Sequence, residues 1–232
     1  VDEGKYIENI NFNGKNIILR STNPFNQDIV KNTIIDGNQA GSVVTFEGNE
    51  GTSCTLEGFT ITNGKGDNYG GGIRCISSSP KISYCSLLNN KAERLFTPGQ
   101  RDPSAMGGGV YCKNSKAIVS SCTISNNNTI GNSFNGFAGS AFGGGVYFLE
   151  SDSKISNCII KNNSAIGSGS PEFVGHSAAH GFGGGIYSKS SQLIIEKSLV
   201  KENKASGGDG YSWDMFDADA YGGDGKGGGI YN

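Results

Sequence analysis

Apolar residues in this chain come in short β-branched runs, set off by Gly, Ser and Asn, and the pattern recurs. Ile73, Val110, Val146, Ile186 and Ile230 each follow three consecutive glycines. Two residues further on stand Cys75, Cys112, Phe148, Ser188 and Asn232. Alternation along a strand puts these two columns on one face. The residues between them, Arg74, Tyr111, Tyr147, Tyr187 and Tyr231, then face the other way. Later columns read Ile82, Val119, Ile155, Ile195; Cys85, Cys122, Cys158, Ser198; Leu87, Ile124, Ile160, Val200; and Asn90, Asn127, Asn163, Asn203. Such runs predict strands, and no stretch shows the 3.6-residue period of a helical repeat.

The triple glycines recur at spacings of 37, 36, 40 and 44 residues. A second marker removes the drift. Ala92, Thr129, Ala165 and Ala205 all lie at residue 23 of a unit counted from the first glycine. Each unit is therefore a constant 23-residue rung followed by an insertion: 93–106, 130–142, 166–182 and 206–226. A rung of this length holds about three short strands with their corners, one coil of a parallel β-helix. Coils stack at about 4.8 Å, so equivalent side chains lie over one another. The Asn column is expected to be a turn ladder, because Asn tolerates the left-handed conformation and its amide reaches the neighbouring coil.

Residues 1–69 fit the same plan without the triple glycine. Tyr6–Ile10, Asn16–Arg20, Thr33–Ile35, Ser42–Phe46 and Thr55–Ile61 read as strands, separated by Asn13-Gly14, Asp36-Gly37, Glu50-Gly51 and Asn63-Gly64. The fold class expected is all-β: a single solenoid over 1–232, with N-terminal coils in 1–69 and triple-glycine coils with insertions in 70–232. Phe59 is expected to stack over the Cys85 column.

Several segments carry a family resemblance. Gly4-Lys5-Tyr6-Ile7-Glu8-Asn9-Ile10, Thr33-Ile34-Ile35-Asp36-Gly37 and Gly58-Phe59-Thr60-Ile61-Thr62-Asn63-Gly64 resemble the right-handed parallel β-helix (pectin-lyase-like) superfamily. The triple glycine, paired with Leu87 to Ala92, Ile160 to Ala165 and Val200 to Ala205, is similar to the repeats of bacterial surface and adhesin-type members. The resemblance implies a right-handed coil. It leaves function open among lyases, hydrolases, adhesins and structural proteins.

The chain has 232 residues, 38 glycines, 17% charged residues and a net charge of −2. No basic stripe speaks for nucleic acid. No apolar run is long enough to span a bilayer. The chain opens on a coil and stops within a rung, as expected of a piece of a longer exported polypeptide. Six Cys residues suit either of two readings. They are reduced and buried, or Cys75 and Cys112 form a staple between coils. No His accompanies any Cys at metal-ligand spacing.

Candidate chemistry concentrates in the insertions, which leave one corner and line one edge. Phe142 and Phe182 precede triple glycines and are expected to anchor the loops. Tyr211 and Trp213 are expected to face a ligand. The outward Tyr111, Tyr147, Tyr187 column either holds sugar rings or is covered by the insertions. Asp217, Asp219 and Asp224 lie in a Gly-rich segment that would suit Ca²⁺; the alternative is a solvated acidic loop. His176 and His180, four apart, lack a third ligand. The outward column offers Arg74 and tyrosines in place of the carboxylate ladder that the lyases of the resembled superfamily use, and the paired carboxylates of a glycosidase are not evident. No catalytic residue is assigned. The expected role is an extracellular or cell-surface structural or adhesive protein, its partner either itself, joined end to end into filaments or a surface layer, or an extracellular polysaccharide. The alternatives are a carbohydrate-binding module working through the aromatic edge, and a polysaccharide lyase or glycoside hydrolase.

Overall fold

The computed structural model describes residues 1–94, 104–133, 138–169, 178–209 and 223–232. Every strand pairing among them is parallel, and the strands form ladders of seven, six, five, four and seven members. One coil shows the plan. After Gly107–Gly109 the chain runs through strands Val110–Lys113, Ile118–Ser120, Thr123–Ser125 and Asn128–Ile130. It then returns from the insertion through Ala141–Phe142 to the next triple glycine.

A coil thus holds five short strands where the rung length suggested three. Two of them, Asn128–Ile130 and Ala141–Phe142, flank the insertion. The expected insertion boundaries contract accordingly: Glu93, Ile130, Ile166 and Ser206 are already strand residues, and so are the two residues before each triple glycine from Ala105 onward. The insertion roots also bond to one another, with Gly131 N–H donating to Ile166 O and Gly167 N–H to Ser206 O. All four leave the same corner, as the repeat required.

The expected columns are in register. Ile73, Val110, Val146 and Ile186 pair directly, and so do Leu87, Ile124, Ile160 and Val200. These side chains, with Leu56, Ile82, Val119 and Ile155, form one continuous apolar core. Phe59 aligns with Cys85 through the pairing of Thr60 with Ser86. All six cysteines are free and buried.

The triple glycine has two separate physical causes. Its first residue adopts positive φ, 68° at Gly107 and 63° at Gly143, a conformation open to Gly at no steric cost. The second stands against backbone: a Cβ on Gly108 would lie 2.4 Å from Asn128 O and 2.5 Å from Gly144 O. Stacked turns leave no room for a side chain there.

The asparagine corner departs from expectation in one respect. The left-handed residue is the one before the ladder Asn: Asn89, Asn126 and Asn162, at φ 55–56°. It turns the chain and leaves its side chain outside. The next residue points inward and does the bonding. Asn127 Oδ1 accepts from both Asn90 N–H and Asn90 Nδ2, and Asn127 Nδ2 donates to Leu87 O, each at 3.0 Å. Asn163 repeats this for Asn127, and Asn203 for Asn163.

The N-terminal coils build the same corners from carboxylates. Thr55–Ile61, read as one strand, divides into Thr55–Glu57 and Thr60–Thr62 around Gly58 at φ 79°. A six-residue helix, Gln27–Asn32, precedes Thr33–Asp36. It is capped by Asn26, whose side chain accepts from Asp28 N–H. Glu50, 1% exposed, accepts from Gly14 and Gly48 amides and the Ser78 hydroxyl. Burial alone would raise its pKa, but these donors outweigh it and hold the carboxyl below its usual range. Asp36 is likewise held low: burial is outweighed by Lys5, the Asn38 amide and the Asn63 side chain.

Two expectations follow. Asn127→Ala strands the Asn90 amide and the Leu87 carbonyl in the core and should destabilise by on the order of 3 kcal/mol in urea titration. Asn203→Ala, in a coil that water reaches, should lose less than half of that; equal losses would refute the ladder's role. Because Asp36 and Glu50 have lowered folded-state pKa values, their contribution is complete above the ordinary carboxyl range, about pH 4 to 5. It is lost as pH falls through the lowered values. Unfolding free energy should be flat from about pH 7 to 5 and fall on further acidification, and Glu50→Gln should flatten that acid limb.

Candidate functional site: the insertion flank and the asparagine corner

On the insertion flank, two ladders of rings face each other. The strand column Tyr111, Tyr147, Tyr187, Tyr231 stacks with ring centroids 5.4, 5.1 and 5.5 Å apart and planes within 10° of parallel. Tyr69, just ahead of the first triple glycine, and Met106, Phe142 and Phe182 on the returning insertion strands form a second column, of which Met106 is the one member without a ring. Phe142 and Phe182 stack at 5.1 Å. Phe142 also meets Tyr187 edge-on at 5.0 Å, and Tyr69 meets Tyr111 at 4.9 Å. Edge-to-face and offset contacts of this kind suit the aromatic quadrupole.

This geometry places the candidate tyrosines differently from one another. Tyr111 and Tyr147 are 3% and 4% exposed, and their ring faces lie against other rings. Burial pushes the Tyr111 phenol above its ordinary value. Tyr187 is half-buried, and its phenol is raised by burial and by Tyr231 beside it. Phe142 and Phe182 anchor the insertions to the coil, as their position before the glycines suggested. Tyr211, Trp213, Asp217, Asp219 and His176 lie outside the described residues.

Asp224 stands at the root of the last insertion among cationic and hydrogen-bonding neighbours. Lys226 Nζ lies 3.3 Å from its carboxylate and His180 Nδ1 lies 4.0 Å away, while its backbone N–H donates to His180 Nδ1 at 2.9 Å. Lys226 also sits 6.0 Å from the Phe182 ring centroid. Among the described residues, no three His, Cys, Asp or Glu side chains are grouped to hold a metal ion.

A second surface was not singled out by the sequence reading. The outward side chains of the asparagine corner line an open groove of about 270 Å³. Asn63, Asn89 and Asn126 form one wall, and Lys65, Lys91 and Asn128 the other. The second set are register neighbours on adjacent coils. Glu93 bridges the two lysines, 2.7 Å from Lys91 and 3.4 Å from Lys65. Burial would raise its pKa, but Lys91 and Lys65 outweigh it and hold it low. Lys65 and Lys91 are the charged residues of the lining, and Glu93 lies in register with Asp67 beside them. Amides able both to donate and to accept surround the two lysines. The visible signal was the doubled Asn in Asn89-Asn90, Asn126-Asn127 and Asn162-Asn163, one residue turned in and one out.

Residues 17–216 match the model of a family described as right handed beta helix region. The chain belongs to the right-handed β-helix family. No curated protein and no solved structure matches it. In this β-helix, no helix among the described residues is long and apolar enough to cross a membrane.

Proposed function

We propose that this β-helix is an extracellular or cell-surface adhesive scaffold, a stacked rod that presents its insertions from one flank. The observation that supports it is the paired aromatic ladder. Tyrosines of the coils and the phenylalanines Phe142 and Phe182 of the insertion strands interlock over consecutive coils, so the second and third insertions are rooted on a rigid base, and Met106 and Lys226 hold the same strand position at the ends of the first and fourth. Binding residues carried on loops from a rigid scaffold are a common economy of protein design. The aromatic content of the last insertion, with Tyr211, Trp213, Phe216 and Tyr221, fits contact with a partner surface.

A second reading, carbohydrate binding, is favoured by the groove at the asparagine corner. Its amides can pair with hydroxyl groups as both donors and acceptors, and its two lysines suit an acidic saccharide.

The two readings separate on variants. Replacing 210–222 by a short Gly-Ser segment should leave the far-ultraviolet circular dichroism and the urea midpoint unchanged. It should abolish retention on immobilised cell-wall or matrix polymers, and Trp213→Ala should weaken it about tenfold, the loss of about 1.4 kcal/mol. Unchanged retention would defeat the loop-display reading. If the groove is the binding surface, Asn89→Ala with Lys91→Ala should instead weaken retention of acidic polysaccharides while the loop replacement leaves it intact.

A further inference from the structure

We propose that Cys75 and Cys112 are a disulfide-forming pair, a covalent staple between consecutive coils that closes as the chain folds under oxidising conditions. The two residues are direct register partners on adjacent parallel strands. Neighbouring strands lie about 4.8 Å apart, inside the roughly 4.4–6.8 Å between Cα atoms that a disulfide spans. Both side chains point into the core, both are fully buried, and thiol faces thiol. Phe46 and Phe148 occupy the same column on the coils before and after, so the pair lies between two rings.

Cys75 Sγ also donates to Ser78 O at 2.9 Å and lies 3.4 Å from Ser115 Oγ, contacts that closing the staple would give up. Three of the other cysteines form a column of their own. Cys85, Cys122 and Cys158 each direct Sγ at the carbonyl two residues back, at 3.2 Å, and at a carbonyl of the preceding coil. Cys158 Sγ also accepts from Cys122 N–H, and Ser198 Oγ takes the same role toward Cys158 N–H. These thiols act as hydroxyl equivalents in a hydrogen-bond ladder. Pairing any two of the three would leave a third thiol unmatched, whereas Cys75 and Cys112 are two in a column otherwise filled by Phe46, Phe148 and Ser188. Cys54 lies outside both columns, and burial raises its thiol to about 11, far from the reactive thiolate.

The chemistry balances with a small-molecule disulfide as oxidant. One cysteine thiolate attacks glutathione disulfide, forming a mixed disulfide and releasing one glutathione. The second thiolate then attacks the protein sulfur of that intermediate and releases another glutathione. Two protein thiols lose two electrons and two protons, and two glutathiones carry them away. In the finished coil both sulfurs are sealed, so the step belongs to folding, before the flanking coils close.

The test is refolding from urea in reduced and oxidised glutathione, followed by thiol counting in denaturant and peptide mapping. The expected product has four titratable thiols of the six, with the Cys75 and Cys112 peptides linked. It should melt several degrees above the form reduced with dithiothreitol. The chain with Cys75→Ser and Cys112→Ser should give four thiols and one melting temperature in both buffers. Six remaining thiols, a linkage through Cys54, Cys85, Cys122 or Cys158, or an oxidised form that melts lower would each overturn the assignment.

Discussion

The structure depends on one constraint: every coil must satisfy its backbone donors and acceptors with the coils above and below, at strand spacing. In a parallel solenoid these bonds run along the axis, so a side chain's nearest neighbours are its own equivalents. A position is acceptable only if it packs well against itself. Aliphatic side chains inside meet this by shape, as in Ile73 over Val110 over Val146. Inward polar residues meet it only if one group can donate and accept at once, and Asn does so through its two amide atoms. Glycine meets it where successive turns come too close for any Cβ, as at Gly108. The rings outside meet it by stacking.

The N-terminal coils show the same constraint solved with charge. Serines Ser78, Ser115, Ser151 and Ser191 form a ladder at one corner, with Ser115 N–H donating to Ser151 Oγ and Ser151 N–H to Ser191 Oγ. Glu50 stands at the head of that ladder and accepts from Ser78. A carboxylate has only acceptors, so it can end a ladder but cannot continue one. Asp36, bonded by Asn63 Nδ2, lies beside the asparagine corner but outside its ladder, whose first member Asn90 accepts from Gly64 N–H. Glu57, paired with Arg20 and bonded by Ser83, lies at the third corner. The lowered pKa values of Asp36 and Glu50 make the first coils more sensitive to acid than the later ones, where the ladders are neutral.

The architecture was readable because stacking writes each structural requirement into the chain once per coil. Columns such as Leu87, Ile124 and Ile160 expose the period and the inward face together. What stayed hidden was anything not expressed by a single column. The two-residue strands Ala141–Phe142 and Gly181–Phe182 are too short to show alternation, so they read as loop and the strand count came out low. The Asn ladder and the left-handed Asn beside it have the same residue type, and only the backbone separates the turning residue from the bonding one. The Gln27–Asn32 helix is shorter than two turns, and its cap at Asn26 is no stronger than the Asn-rich turns around it. The tyrosine and phenylalanine columns were each visible. Their interlock depends on the angle set by the glycine turn, which no spacing encodes.

The same constraint limits where specificity can reside. A side chain inside a coil answers to its column, so a change made for binding would disturb two neighbours as well. The flank and the outer corners are released from this. Lys65, Lys91 and Asn128 share one column yet differ in charge, because their heads lie at the groove and only their stems must stack. The insertions are freer still, differing in length and composition while their roots keep the same ladder. Variation concentrates where stacking ceases to select, and in this β-helix those places are the asparagine groove and the loops above the aromatic ladder. Any recognition chemistry in this chain has to be sought there before the core.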